Sequence, residues 1–310
     1  MSPVRSSVHL FQSILCPVDF STNSTVALQH AAAIARRSGG RLTAMYADDP
    51  MLAAAAAAGY NQKLLTKQTT SALRRLLTSI GIPLDREPAA AGIVCAIGRP
   101  AREILNVARR IDADLIVMGT QGLSGVGRMF FGSVTEKVLR RTTVPVLAVP
   151  SGVGARRLKS WPDRPILCAV EFGPRDREDV RMAAEIARVF ATDLILIHVV
   201  AATAGPPWLI SKLGRRDRVR LRAARARLEQ LAGSVRRAAG IPVESRALLG
   251  RPAEEIAAAA AEMSADLIVL TLRSGHGLFG LRQGTITFQV LCGAGTPVLA
   301  LQQRPRRSRK

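Results

Sequence analysis

Ala113-Asp114-Leu115-Ile116-Val117-Met118-Gly119-Thr120-Gln121-Gly122 is the stretch from which the fold is read. Its short apolar run is bounded by a glycine turn, and a helical pattern opens at Ser133. Such a run has the character of a strand covered on both faces, delivering the chain into a loop and a following helix. The run is then written a second time. Ala265-Asp266-Leu267-Ile268-Val269 repeats Ala113 to Val117 at a spacing of 152 residues.

Working outward, the same register holds almost throughout. Leu15, Cys16, Val18 and Phe20 return as Leu167, Cys168, Val170 and Phe172, and Gly98-Arg99-Pro100-Ala101 returns as Gly250-Arg251-Pro252-Ala253. The register slips only in the middle, where Gly81-Ile82-Pro83 matches Gly240-Ile241-Pro242 at a spacing of 159. A period this long means duplicated domains rather than a solenoid of short units. The expected division is a first domain over 9–150, a Gly, Arg and Pro rich linker over 151–164, a second domain over 165–302 and a basic tail over 303–310. In the first copy, strands are expected near Ser13 to Asp19, Arg41 to Ala47, Gly92 to Ile97, Asp114 to Gly119 and Pro145 to Val149. Helices are expected from Ser21 or Thr22 to Gly39, from Tyr60 to Ile80, from Pro100 to Ile111 and from Ser133 to Arg141. Alternation of short β-branched runs with longer helical patterns gives an α/β chain, two tandem doubly wound domains with helices on both faces of each sheet.

Length agrees: 310 residues suit about two domains. Hydrophobic residues at 48% and charged residues at 22% allow real cores, and aromatics at 4% leave little for stacking single-stranded bases. The formal net charge is +21, with much of the excess in two places: Arg215, Arg216, Arg218, Arg220, Arg222, Arg225 and Arg227, and the tail Arg304, Arg306, Arg307, Arg309 and Lys310. Such a field implies weak nonspecific binding to polyanions, to be set against a simple solvated helix face. Cys16, Cys95, Cys168 and Cys292 show no C-x-x-C spacing and the four histidines are scattered, so no metal site or disulfide framework is expected, and a reduced, cytoplasmic setting is. The opening MSPVRSSVHLFQ has no apolar export core, and no apolar run is long enough to span a bilayer, so membrane insertion is not expected.

Gly119-x-x-Gly122-x9-Gly132-Ser133 joins the fourth strand to the fourth helix. A loop that wraps phosphates needs residues without side chains where backbone meets ligand, and free N–H groups pointing inward. Gly119, Gly122 and Gly132 meet the first demand; Gly132, Ser133 and Val134 open a helix and meet the second through its first-turn N–H groups and positive dipole end. Asp19, at the carboxyl end of the first strand, is placed to accept hydrogen bonds from ribose hydroxyls, or to serve only as an acidic group at a helix start. No G-x-x-x-x-G-K-[ST] occurs, and Gly275-x-Gly277-x-x-Gly280 lacks the rest of a dinucleotide fold. His198 and His276 read as structural, no residue stands out as catalytic, and hydrolysis, if it occurs, is expected to be slow.

Together CPVDFS (Cys16 to Ser21), GRPA (Gly98 to Ala101), DLIVMGTQG (Asp114 to Gly122), and GSVTEKV followed by VPVLAVP resemble universal stress proteins of the UspA type, in tandem over nearly the whole chain. The resemblance implies a five-stranded parallel sheet in order 3-2-1-4-5 in each domain and ATP, with Mg2+, as ligand. It also implies that Asp19 contacts the nucleoside, that the backbone at Ala47 lines the adenine pocket, and that Gly119, Gly122, Gly132, Ser133 and Val134 hold ribose and phosphates. The second copy has Thr271 for Gly119, Ser274 for Gly122 and Glu171 for Asp19, keeping Gly284-Thr285 for Gly132-Ser133, so only the first copy is expected to bind ATP well. Because each fifth strand would otherwise be a bare apolar edge, the copies are expected to pack as an intramolecular pseudo-dimer, with further homo-oligomers left open. The implied role is a nucleotide-dependent stress-response regulator or adaptor. The alternatives are a basic adaptor for nucleic acid or acidic partners that uses no nucleotide, and a slow ATPase or phosphotransfer protein.

Overall fold

The short apolar runs become the central strands of one sheet. In a computed structural model that describes residues 10–48, 50–51, 54, 62–82, 91–120, 132–152, 158, 160–174, 176–203, 210–272 and 285–302, the first half carries β1 (Ser13–Pro17), β2 (Arg41–Asp48), β3 (Gly92–Ile97), β4 (Leu115–Gly119) and β5 (Val146–Val149). The second half carries β6 (Ile166–Ala169), β7 (Leu194–Ala201), β8 (Val243–Gly250), β9 (Leu267–Leu272) and β10 (Val298–Gln302). All ten lie in one sheet of order β3-β2-β1-β4-β5-β10-β9-β6-β7-β8, with β1, β4, β5, β6, β9 and β10 as its central strands. Each half therefore has the order 3-2-1-4-5 that the family resemblance implies. Pairing is parallel within each half and antiparallel only at the junction, where Val298, Leu299 and Ala300 lie opposite Ala148, Leu147 and Val146. Every residue of β5 is buried, while β3 at the outer edge has no buried residue.

Helices cover both faces. α1 (Thr22–Ser38), α2 (Gln62–Ser79), α5 (Asp176–Phe190) and α6 (Ile210–Ala239) pack on one. α3 (Pro100–Arg110), α4 (Ser133–Arg141), α7 (Pro252–Glu262) and α8 (Ile286–Gly293) pack on the other. Each core layer runs continuously from the first half into the second. α1 starts at Ser21, whose side chain accepts from the Ser24 N–H, and it ends at Gly39 in the left-handed conformation (φ 69°). α3 and α7 both begin with proline after an extended arginine, the helix-start form in which proline gives up no bonded N–H.

Beyond the shared sheet, the halves meet through α1. The Arg37 guanidinium donates to the carbonyls of Ser160 (2.7 Å), Pro162 (3.1 Å) and Phe190, and lies 5.6 Å from the centre of the Phe190 ring. His30, fully buried, meets Trp161 edge-on at 4.7 Å. Its Nδ1 lies 2.8 Å from the Val26 carbonyl, and its Nε2 is buried with no hydrogen-bond partner in the described structure.

Candidate functional site

In the order 3-2-1-4-5 the direction of winding reverses between β1 and β4, the position at which open α/β sheets take ligands at the carboxyl ends of their strands. Most of the expected site residues are brought to this point. After β1, the Val18 N–H still reaches the Met45 carbonyl (2.7 Å), and Phe20 then turns the chain with φ 62°. Asp19, half-buried, accepts from the Ser21 N–H (3.0 Å) and hydroxyl (2.6 Å). Its carboxylate thus braces the residue that caps α1, the helix-start role weighed against the ribose role in the sequence. Both are compatible, because a carboxylate has acceptor capacity beyond one oxygen.

Gly119 ends β4, and the fold itself supplies a reason for glycine at this position. A Cβ would lie 3.2 Å from the backbone C and O of Asn23 and 3.3 Å from its Cβ, so the close approach is to the first turn of α1. The Gly119 carbonyl accepts from the Thr135 hydroxyl (2.9 Å), tying β4 to α4. The two ends of the glycine loop are clasped by the Gly132 N–H, which donates to the Thr120 carbonyl (2.7 Å), while the Thr120 N–H donates to Val149 (2.9 Å). Gly132 therefore spends its donor on the loop. α4 itself starts on Gly132 without a side-chain cap, so among the described residues the N–H groups of Ser133 and Val134 have neither an intrahelical acceptor nor a capping side chain, and Ser133 is exposed. Gly122 and residues 121–131 lie outside the described residues.

Ala47 lies one strand away at the carboxyl end of β2, opposite Ala96, and packs toward the α3 and α4 face. Its neighbours Tyr46 and Asp48 were not singled out in the sequence. Strand alternation puts them on the opposite face, and counting in twos from the buried Leu42 was the available signal. Asp48 is buried, and burial raises its carboxyl above the usual range. Tyr46 packs against Phe20 with ring centres 5.1 Å apart. Its hydroxyl is raised by burial, then by the charges of Asp48 and Asp19.

The second half builds the corresponding switch point with different chemistry, at the opposite end of the sheet because the halves are antiparallel. A cleft of about 910 Å³ is lined by residues including Glu171, Phe172, Asp176, Asp179, His198 and Arg227. The Arg227 guanidinium sits 4.5 Å over the Phe172 ring and donates to its carbonyl (3.2 Å), and His198 packs 4.1 Å from the same ring. His198 Nδ1 lies 2.7 Å from the Val170 carbonyl, consistent with the structural reading of this histidine. Burial raises Asp176, with Arg227 and His198 acting in the other direction. The helix start also differs: Thr285 caps α8 by accepting from the Phe288 N–H (3.3 Å), where α4 has no such cap. Gly284, Ser274 and His276 lie outside the described residues.

The model of the universal stress protein family matches residues 10–150 and again 163–302. The chain belongs to this family. Among its relatives is a universal stress protein of Methanocaldococcus jannaschii, 32% identical over 155 residues, which are 48% of this chain and 87% of that one. One from Mycolicibacterium smegmatis is 24% identical over 301 residues, covering 94% of this chain and 97% of its own. The whole two-half architecture recurs in the crystal structure of a universal stress protein from Archaeoglobus fulgidus, with a TM-score of 0.66 at 19% identity over 94% of this chain and 99% of that one. The tandem arrangement is thus a property of full-length relatives as well as of this universal stress protein. Among the described residues, no helix is long and apolar enough to cross a membrane, and no cluster of His, Cys, Asp and Glu could hold a metal ion. All four cysteines are free thiols.

Proposed function

We propose that this universal stress protein binds one ATP, with Mg2+, in its first half, and that the bound nucleotide sets how it acts as a stress-response regulator or adaptor. The observation that carries this reading is the uncapped start of α4 at the switch point, beside a half-buried carboxylate at Asp19, where the second half has a Thr285 cap. Phosphates would take the N–H groups of Ser133 and Val134 and the Ser133 hydroxyl, with the positive end of the helix dipole behind them. Gly132 is tied to Thr120, Gly119 lets α1 approach, and Gly122 would leave room for the phosphates. Asp19 would accept from the ribose, and the backbone at Ala47 would line the base. Among the described residues no side chain is assigned the role of a general base, and slow turnover or none is expected.

In the second half Glu171, Asp176 and Asp179 line the crevice and would repel a polyphosphate, while Arg227 is already engaged with Phe172. Titration calorimetry should give about one ATP per chain, abolished by Gly122→Asp with Gly132→Asp and retained with Ser274→Asp plus Gly284→Asp. Two equal sites, or loss only with the second pair, would overturn the assignment.

The same reading takes the halves as folding units over 9–150 and 165–302, joined by residues 151–164 and followed by a basic tail at 303–310. The β5–β10 junction would then serve in solution as the intramolecular counterpart of a dimer interface. Free thiols favour a reduced, cytoplasmic setting.

A further inference from the structure

α6 is the most basic element of the chain, and its arginines divide between two flanks. Arg220 and Arg227 line the cleft of the second half. Arg215, Arg218, Arg222 and Arg225 are exposed and recur at i, i+3, i+7 and i+10. At about 100° and 1.5 Å per residue they fall within roughly 80° of arc and span about 15 Å along the axis. The helix's own carboxylates leave them unneutralised. Asp217 is buried, held by the Thr203 N–H (3.0 Å) and hydroxyl (2.8 Å) and paired with Arg220, while Glu229 takes Arg236 and the Ser245 hydroxyl.

We propose that this outer flank of α6 docks the phosphate backbone of double-stranded nucleic acid. One strand of a duplex presents a phosphate about every 3.4 Å of axis, so a stripe of about 15 Å faces roughly four phosphates, one for each arginine. The guanidinium fork is the donor geometry that matches phosphate oxygens. A bilayer surface is the poorer match. A helix lying in a membrane interface needs an apolar face to insert, and Ala224, Leu228, Ala232 and Val235 of α6 are already buried against the sheet. Single strands are disfavoured as well, because they are gripped by aromatic stacking and aromatics are only 4% of the chain. Recognition is of charge and spacing, without sequence preference. It stands independently of the ATP reading.

The test is fluorescence anisotropy of a labelled 30-base-pair DNA duplex with the full chain, without ATP, over 50 to 300 mM KCl. Four phosphate contacts correspond to a slope of about −3.6 in log K against log salt, so Arg215, Arg218, Arg222 and Arg225 changed together to Gln should flatten the wild-type slope by about 3 to 4. The pair Arg218→Gln with Arg222→Gln should flatten it by about 2, which keeps the test decisive if the quadruple variant folds poorly. Arg74, Arg75, Arg102 and Arg110 changed to Gln remove the same charge elsewhere and should leave the slope within about one of wild type. Equal loss in both quadruple sets would overturn the proposal, since net charge would then suffice. So would tighter, stripe-dependent binding to vesicles containing phosphatidylserine than to the duplex. A third overturning result is unchanged DNA binding together with self-association of the stripe variant. The stripe would then be guarding the free edge of β8, against which α6 packs.

Discussion

Gly119 shows how a residue can stand in a ligand-binding motif for a reason internal to the fold. Its missing Cβ makes room for the backbone of Asn23, 3.2 Å from where that atom would be. Gly119→Ala should therefore separate α1 from β4 by a few tenths of an ångström and cost about 1–2 kcal/mol in urea unfolding, as overpacking of a rigid contact does. A variant as stable as wild type would show that the first turn of α1 yields freely. At the same scale Asp19 and Glu171 share a charge, but Asp19 is short enough to accept from both the N–H and the hydroxyl of Ser21. Motif spacing identified these positions; it could not show what each side chain touches, because those contacts come from α1, another element of the chain.

The cap is the decisive feature at the scale of elements. α3, α4 and α7 all start without a side-chain cap, so what sets α4 apart is its place after β4 at the switch point, where its counterpart α8 in the second half carries the Thr285 cap. Ser21 links two functions, accepting from the Ser24 N–H (3.1 Å) while donating to Asp19. Ser21→Ala should cost about 1 kcal/mol through loss of the cap. It should also weaken ATP binding by freeing the Asp19 carboxylate, while Ser21→Thr keeps both bonds and should restore both properties. Thermal melts with and without ATP separate the two effects; unchanged ATP affinity in a destabilised Ser21→Ala chain would remove Asp19 from the binding account. Helix positions and starts were legible from periodicity and capping residues. The faces of Tyr46 and Asp48 were legible only by counting alternation from a residue whose burial was known.

At the scale of the whole molecule, two features hold the halves in one body. The first is the antiparallel junction of β5 and β10, apolar on both strands. Cleaving the chain between Gly152 and Trp161 should leave fragments that co-purify in low and high salt alike, because burial rather than charge joins them. Fragments that separate as soluble monomers would contradict this. The second is the contact of α1 with Trp161 and α5, where burial lowers His30 to about 4 from an ordinary value of 6.5. Above the ordinary value the imidazole is neutral in both folded and unfolded chains. As pH falls from there, the unfolded chain takes up a proton that the folded chain refuses, so stability is lost progressively until the folded group also titrates near 4. The loss should reach about 3 kcal/mol, and His30→Leu should remove that part of the slope in urea titrations between pH 4 and 7. An identical slope in the variant would place the proton uptake elsewhere.

The sequence by itself determined the duplication, the order of strands and helices, and the place of the glycine loop after β4. These depend on periodicity and turn chemistry, which are local and are written twice here. Only the tertiary structure decided that the two sheets become one, that Gly132 donates its N–H to Thr120, and that an arginine covers the aromatic ring in the cleft of the second half. Each depends on which edges and side chains meet across long separations, as when Arg227 reaches Phe172, and such meetings are set by packing two layers of helices on a shared sheet.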